Sequence, residues 1–91
     1  MTLSPRRSSF QIAIDVLTVI SEGEVRPTRI MYASNLSWNS LKYTLDLLVN
    51  KDYVDEENVT DRNKKYFITA KGREVLGYYQ HLETLVQVTT D

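Results

Sequence analysis

A chain of 91 residues holds about one domain and buries roughly 60–65% of the surface its unfolded form exposes, which leaves no room for a separate catalytic unit. With 42% apolar residues, 25% charged residues and only three Gly and two Pro, the composition is that of a folded domain rather than a disordered one. The 11 basic and 12 acidic residues leave a net charge of −1, so nucleic-acid binding must come from charge placement, and the absence of cysteine excludes disulfides, thiolate zinc sites and a cysteine nucleophile.

The opening residues, MTLSPRRSSF, carry two arginines with no apolar run of signal-peptide type after them, and no stretch approaches 18 uninterrupted apolar residues. The expectation is an intracellular, cytoplasmic protein without a membrane partner. Residues 1–8 read as a flexible arm whose Arg6 and Arg7 can add contacts on a flank. Ser8 or Ser9 then caps a first helix that ends before Gly23. Phe10, Ala13, Val16, Leu17 and Ile20 share one face of it. Ile12 and Ile14 widen the apolar arc to roughly 200°, beyond the ~100° of an ordinary surface helix, so this helix is expected to touch two neighbours.

The segment RPTRIMYASNLSW predicts a short second helix and a tight turn, since Pro27 suits the first helical position and Asn35 tolerates a left-handed backbone. Ser37 caps the next helix, with Leu36 before the cap and Leu41 after it at the spacing of a hydrophobic clamp. On this third helix Leu41, Thr44, Leu45 and Leu48 face the core, while Asn39, Tyr43, Asp46 and Asn50 face away. Trp38 lies on the flank; its favoured reading is a core residue beside Leu41 and Leu45, with a DNA contact as the other. Two short helices joined by a capped turn form a helix-turn-helix pattern.

Tyr53 and Val54 open an extended run, TDRNKK at 60–65 supplies a polar turn, and Lys65-Tyr66-Phe67-Ile68 makes a return strand. A hairpin in this position is a wing. Asp52, Asp55, Glu56 and Glu57 are expected to be a solvated edge that discourages further strand pairing, a partner-binding or metal-binding surface being the other reading. Thr69 caps a last helix over 70–88, roughly 30 Å long, in which Val75, Tyr79, Leu82 and Val86 recur at spacings of four, three and four. Tyr78 and Leu85 broaden that seam. A seam of this length calls for a facing surface; covering its own domain is the simpler alternative. The expected fold class is α+β, mostly α: a winged helix-turn-helix at 9–69, a C-terminal dimerisation helix at 70–88 and a frayed tail at 89–91.

Thr28-Arg29-Ile30-Met31-Tyr32, Asn35-Leu36-Ser37-Trp38, Leu41, Leu45 and Leu48, followed by Tyr66-x-Ile68-Thr69-x-Lys71-Gly72 and Leu76, give the chain a family likeness over about residues 10–88. It resembles the small archaeal winged-helix proteins taken to be transcriptional regulators, which are related to certain archaeal chromatin-associated DNA-binding proteins. The resemblance implies a winged-helix fold, DNA binding, homodimerisation through antiparallel pairing of the C-terminal helices, and no catalytic activity. The chain departs from that pattern with Lys51-Asp52 where a glycine is frequent, and with an acidic first wing strand.

The expected function is a regulator that binds double-stranded DNA as a homodimer, nucleoid-associated, without a cofactor, metal or evident small-molecule effector. An α-helix fits the major groove, where Ser37, Asn39 and Ser40 offer hydrogen-bonding groups and the Asn39 amide matches adenine in bidentate fashion. Lys42 and Tyr43 suit phosphates or sugars, Arg29 and Trp38 the flank, and Arg62, Lys64 and Lys65 a cluster at the wing tip against phosphates or the minor groove. Asp46 would repel the backbone, which predicts insertion by the amino-terminal end of the helix. Ile12, Val75, Tyr78, Tyr79, Leu82, Leu85 and Val86 are the expected dimer interface. The lone His81, without a cysteine or a Gly-rich phosphate loop, offers no catalytic constellation. The competing function is a winged helix used for protein–protein contact without DNA.

Overall fold

Ser8 accepts a hydrogen bond from the Gln11 amide, 3.0 Å, and so opens the first helix, α1, Ser9–Ser21. Two further helices follow, α2 (Pro27–Ser34) and α3 (Trp38–Asn50), then an antiparallel hairpin of β1 (Val54–Asn58) and β2 (Lys64–Ile68), and α4 (Ala70–Thr89). These assignments come from a computed structural model that describes residues 7–89, with side chains to Val86; residues 1–6 of the expected arm, Arg6 included, lie outside the described residues.

Each of the first three helices ends at a residue with a left-handed backbone, which lets its own amide and the next bond back into the last turn. Gly23 (φ 108°) ends α1, Asn35 (φ 55°) ends α2, and Asp52 (φ 66°) ends α3. The matching back-bonds are Glu24 N to Val19 O (3.3 Å), Leu36 N to Met31 O (3.1 Å) and Tyr53 N to Leu48 O (3.0 Å). Asp52 therefore occupies the position at which a glycine is frequent among the proteins this chain resembles. Its short polar side chain tolerates the conformation better than a branched one would.

The core gathers Ile14, Val16, Leu17 and Ile20 from α1, Ile30 from α2, Leu41, Leu45 and Leu48 from α3, Val54 and Tyr66 from the hairpin, and Leu76 from α4. Leu41 is fully buried, so truncating it to alanine would cost about 2–5 kcal/mol. Ile14, expected only to flank the stripe, is buried with Val16, Leu17 and Ile20, whereas Phe10, assigned to the stripe, is 62% exposed. The first turn of α1 reaches past the core, and the Phe10 ring meets Tyr79 edge-on at 5.7 Å.

The hairpin register pairs Val54 with Ile68, Glu56 with Tyr66 and Asn58 with Lys64 on one face, and Asp55 with Phe67 and Glu57 with Lys65 on the other. The Tyr66 amide donates to Val25 O (2.9 Å), which ties the wing to the segment before α2. Thr69 joins wing to α4: its hydroxyl donates to Asp52 O (2.7 Å) and accepts from the Gly72 amide (2.9 Å). No helix among the described residues is long and apolar enough to cross a membrane.

Candidate nucleic-acid interface

The opening turn of α3 points to solvent because its opposite side, Leu41, Thr44, Leu45 and Leu48, is anchored in the core. Ser37 caps the helix by accepting from the Ser40 amide (3.2 Å), and Thr44 donates its hydroxyl to Ser40 O (2.9 Å). Asn39 and Tyr43 are exposed on the outward face, followed by Asp46 and Asn50, while Ser40 is half-buried. Trp38 is 51% exposed, which overturns the core reading. The hairpin stands off the start of α3 rather than closing over it, so the indole lines a cleft instead of filling one.

That cleft, about 630 Å³, lies between the start of α2, the outer side of α3 and the hairpin. Arg26, Arg29, Lys42, Arg62, Lys64 and Lys65 line it together with Trp38, and Asp46 and Glu56 are its acidic members. Positive charge is therefore concentrated here although the chain as a whole carries −1. Arg26 escaped the sequence reading; its signal was its place immediately before Pro27, where it becomes the N-cap of α2 and makes no side-chain capping bond.

Several of these cations already have partners within the chain. Arg29 pairs with Glu24 (3.7 Å), Lys42 with Asp46 (3.9 Å) and Lys64 with Glu56 (3.6 Å). Glu56 also accepts the Tyr66 hydroxyl at 2.7 Å. Burial first, and then the neighbouring Glu56 carboxylate, raise the Tyr66 hydroxyl above its ordinary value and keep it neutral. Asp52, Asp55, Glu56 and Glu57 are all exposed, as expected of a solvated edge, and Glu56 alone among them is tied to two partners, Lys64 and Tyr66.

The expected basic cluster at the wing tip, Arg62, Lys64 and Lys65, borders that cleft, although the two lysines alternate along β2. Thr60 holds the turn, its hydroxyl accepting from the Asn63 amide at 3.1 Å, and leaves Arg62 exposed there. Lys64 lies on the Glu56 face, whereas Lys65 stands opposite Glu57 on the other. Arg7 is likewise not a free flank contact: its guanidinium bonds Asp15 and the carbonyls of Ser34 and Asn35, each at 2.9 Å.

On α4, Tyr78, Leu82, Leu85 and Val86 are exposed apolar side chains. Val75 and Tyr79, expected on the same seam, are half-buried, and Tyr79 and Ile12 pack partly against this chain's own core. An apolar groove of about 310 Å³, walled by Phe10, Ala13, Leu17, Leu47, Tyr53 and Val75, runs along the base of that helix. His81 is exposed, and among the described residues no group of His, Asp and Glu is placed to hold a metal ion.

Known proteins share this arrangement. A Methanocaldococcus jannaschii protein, MJ0287, is 30% identical over 83 residues, which is 91% of this chain and 77% of that protein. The crystal structure of Sso10a-2, a DNA-binding protein from Sulfolobus solfataricus, superposes with a TM-score of 0.77 at 21% identity, over 92% of this chain and 86% of that one. FabT from Streptococcus pneumoniae, solved in complex with DNA, gives 0.69 at 16% identity over 86% of this chain, which spans 57% of the FabT chain. The winged helix-turn-helix family model matches residues 6–87, and with the helix-turn-helix, the hairpin and the long last helix all in place, the chain belongs to that family.

Proposed function

We propose that this chain is a transcriptional regulator that binds double-stranded DNA as a homodimer. The observation that carries the reading is the opening turn of α3, exposed with its polar groups outward and flanked by the basic cleft. An α-helix of this kind fits the major groove, where base edges present a readable donor and acceptor pattern. Asn39 is the base reader; its amide can pair with adenine N6 and N7 together. Lys42 and Tyr43 hold phosphates or sugars, Ser37 and Ser40 add hydroxyls, and Trp38 offers an apolar flank. Asp46 a turn later keeps the helix from lying flat, so the amino-terminal end enters first. Arg26, Arg29, Arg62, Lys64 and Lys65 meet the backbone beside the groove.

Dimerisation goes through α4, where Tyr78, Leu82, Leu85 and Val86 would otherwise leave apolar surface in water. Ile12, Val75 and Tyr79 support that face from behind. A two-fold pair presents two copies of α3 to one duplex, with half-sites about one helical turn, or a multiple, apart. That Sso10a-2 is described as a DNA-binding protein and FabT was solved with DNA supports the reading. Domain limits of 9–69 for the DNA-binding unit and 70–88 for the dimerisation helix belong to the same proposal.

The net charge of −1 favours one other reading, a protein-interaction module. Selection of duplexes from a random pool, followed by binding measurements across salt concentrations, decides between them. Enrichment of a motif with affinity that falls steeply between low and moderate salt supports the regulator; no retained duplex even at low salt, with capture of one protein partner, supports the module.

A further inference from the structure

Asn35 turns the chain from α2 into α3, and its left-handed backbone is held by two back-bonds, Asn35 N to Tyr32 O (3.2 Å) and Leu36 N to Met31 O (3.1 Å). The turn therefore closes without help from elsewhere. Arg7 is nevertheless clamped across it. Nη1 donates to Ser34 O and Nη2 to Asn35 O, both at 2.9 Å, so the planar fork spans two successive carbonyls at the negative end of α2. Nη1 also meets Asp15 Oδ2 at 2.9 Å.

The other oxygen of Asp15 accepts from Gln11 Nε2 at 2.8 Å, and Gln11 Oε1 accepts the Tyr79 hydroxyl at 3.2 Å. Donor and acceptor alternate without a gap from α4 through α1 to the turn two residues ahead of the Ser37 cap. The Arg7 and Asp15 side chains are about 30% exposed and stand outside the apolar core, so they contribute orientation more than burial. At the far end, Tyr79 sits next to Tyr78 and one turn from Leu82, both on the face assigned above to the second copy.

We infer that Arg7 is a positioning residue for α3, and that Tyr79 governs it through Gln11 and Asp15, so that the packing of α4 is transmitted to the aim of the DNA-reading turn. The inference rests on the DNA-binding reading only for its consequence; the coupling itself is a property of the free protein. A guanidinium spanning two carbonyls fixes the direction in which the peptide plane after Asn35 points. Ser37, Trp38 and Asn39 inherit that direction. Losing one link lets the turn sample neighbouring orientations while the core stays intact.

Two measurements on the full chain test this. In amide NMR spectra without DNA, Tyr79→Phe is expected to move the Ser34, Asn35 and Ser37 resonances, in the same direction as Arg7→Gln does; shifts confined to α4 and α1 overturn the relay. Against a duplex recovered by selection, Arg7→Gln is expected to bind about tenfold more weakly with an unchanged slope of log affinity against log salt. Arg7→Lys, which keeps the charge but not the fork, should weaken binding less and also leave the slope alone. Adding Tyr79→Phe to Arg7→Gln should cost nothing more, because both act on one chain of bonds. A slope reduced by about 0.9 would make Arg7 a phosphate contact and overturn its positioning role; unchanged affinity, or losses that add in the double variant, would do the same for the coupling. If the unaltered chain binds no duplex, the function proposed above fails, while the amide shifts still decide the relay.

Discussion

Two glycines of α4, Gly72 and Gly77, should respond to the same substitution with opposite signs. Glycine to alanine inside a helix ordinarily stabilises by about 1 kcal/mol, because glycine loses more backbone freedom on folding. At Gly77 a Cβ would meet nothing within 4 Å, so Gly77→Ala should gain close to that amount. At Gly72 the Cβ would collide with the Tyr53 carbonyl oxygen and approach Ile68 Cγ1 to 2.9 Å. Tyr53 O cannot retreat freely, since it accepts from the Thr69 amide at 3.0 Å, and Thr69 in turn holds Asp52 O. Overpacking of this kind costs about 1–3 kcal/mol, and disturbing that hydrogen bond costs about 1 kcal/mol. After the gain in helix propensity, the net loss for Gly72→Ala is about 1–3 kcal/mol. For a domain of this size that corresponds to a fall in Tm of roughly 5–20 °C, against a rise of roughly 4–8 °C for Gly77→Ala. Urea and thermal unfolding followed by circular dichroism, at one protein concentration so that dimerisation does not shift the midpoint, read both values. If Gly72→Ala is as stable as the unaltered chain, the close approach of α4 to Tyr53, between α3 and β1, is wrong.

If the proposed homodimer forms through α4, Leu82→Glu, which places a charge on its exposed face, should give monomers where the unaltered chain sediments as a dimer; an unchanged mass removes that face from the interface. Asn39→Ala should leave the unfolding midpoint within about 0.5 kcal/mol and relax base preference at one position of the selected motif, whereas uniform weakening on every duplex would assign Asn39 to the backbone. Tyr66 keeps its proton longer folded than unfolded, because burial and Glu56 both raise it. Its contribution to stability is therefore complete below the ordinary tyrosine value of about 10 and declines as pH rises beyond it. Tyr66→Phe should unfold with a shallower loss of stability in that alkaline window, and parallel curves for the two proteins would contradict the burial of the hydroxyl.

What local pattern could reveal and what it could not divides along residue separation. Ser37 and Thr69 were readable as caps because a hydroxyl before an apolar period has one economical use, and Gly23 and Asn35 because few residues accept a left-handed backbone. Asp52 does the same work at the end of α3 but reads as one more polar residue beside Lys51. Trp38 departs from its expected core place for a different reason. Its size argues for burial, and only the stand-off between hairpin and α3, a tertiary feature, leaves it half in water. Arg7 and its carbonyl partners are 27 and 28 positions apart, beyond the reach of any periodicity.

The pairing of the cleft's cations within the chain bears on how a protein of net charge −1 can act on DNA. Arg29, Lys42 and Lys64 each face a carboxylate at 3.6–3.9 Å, across pairs that are largely exposed. Such pairs are worth at most about 1 kcal/mol each, so a phosphate can replace the carboxylate at little cost. The displaced carboxylate stays close by and repels the same phosphate, which reduces the gain on every duplex alike. Glu56 is the exception in degree, since Tyr66 continues to donate to it when Lys64 leaves. Under the proposed function, the sequence-independent share of affinity is therefore small for a winged helix, and a larger fraction of the binding must come from the base edges met by the first turn of α3. Because that penalty falls on right and wrong sites alike, it lowers both affinities without changing the difference between them, and under the proposed function discrimination rests on the base edges alone.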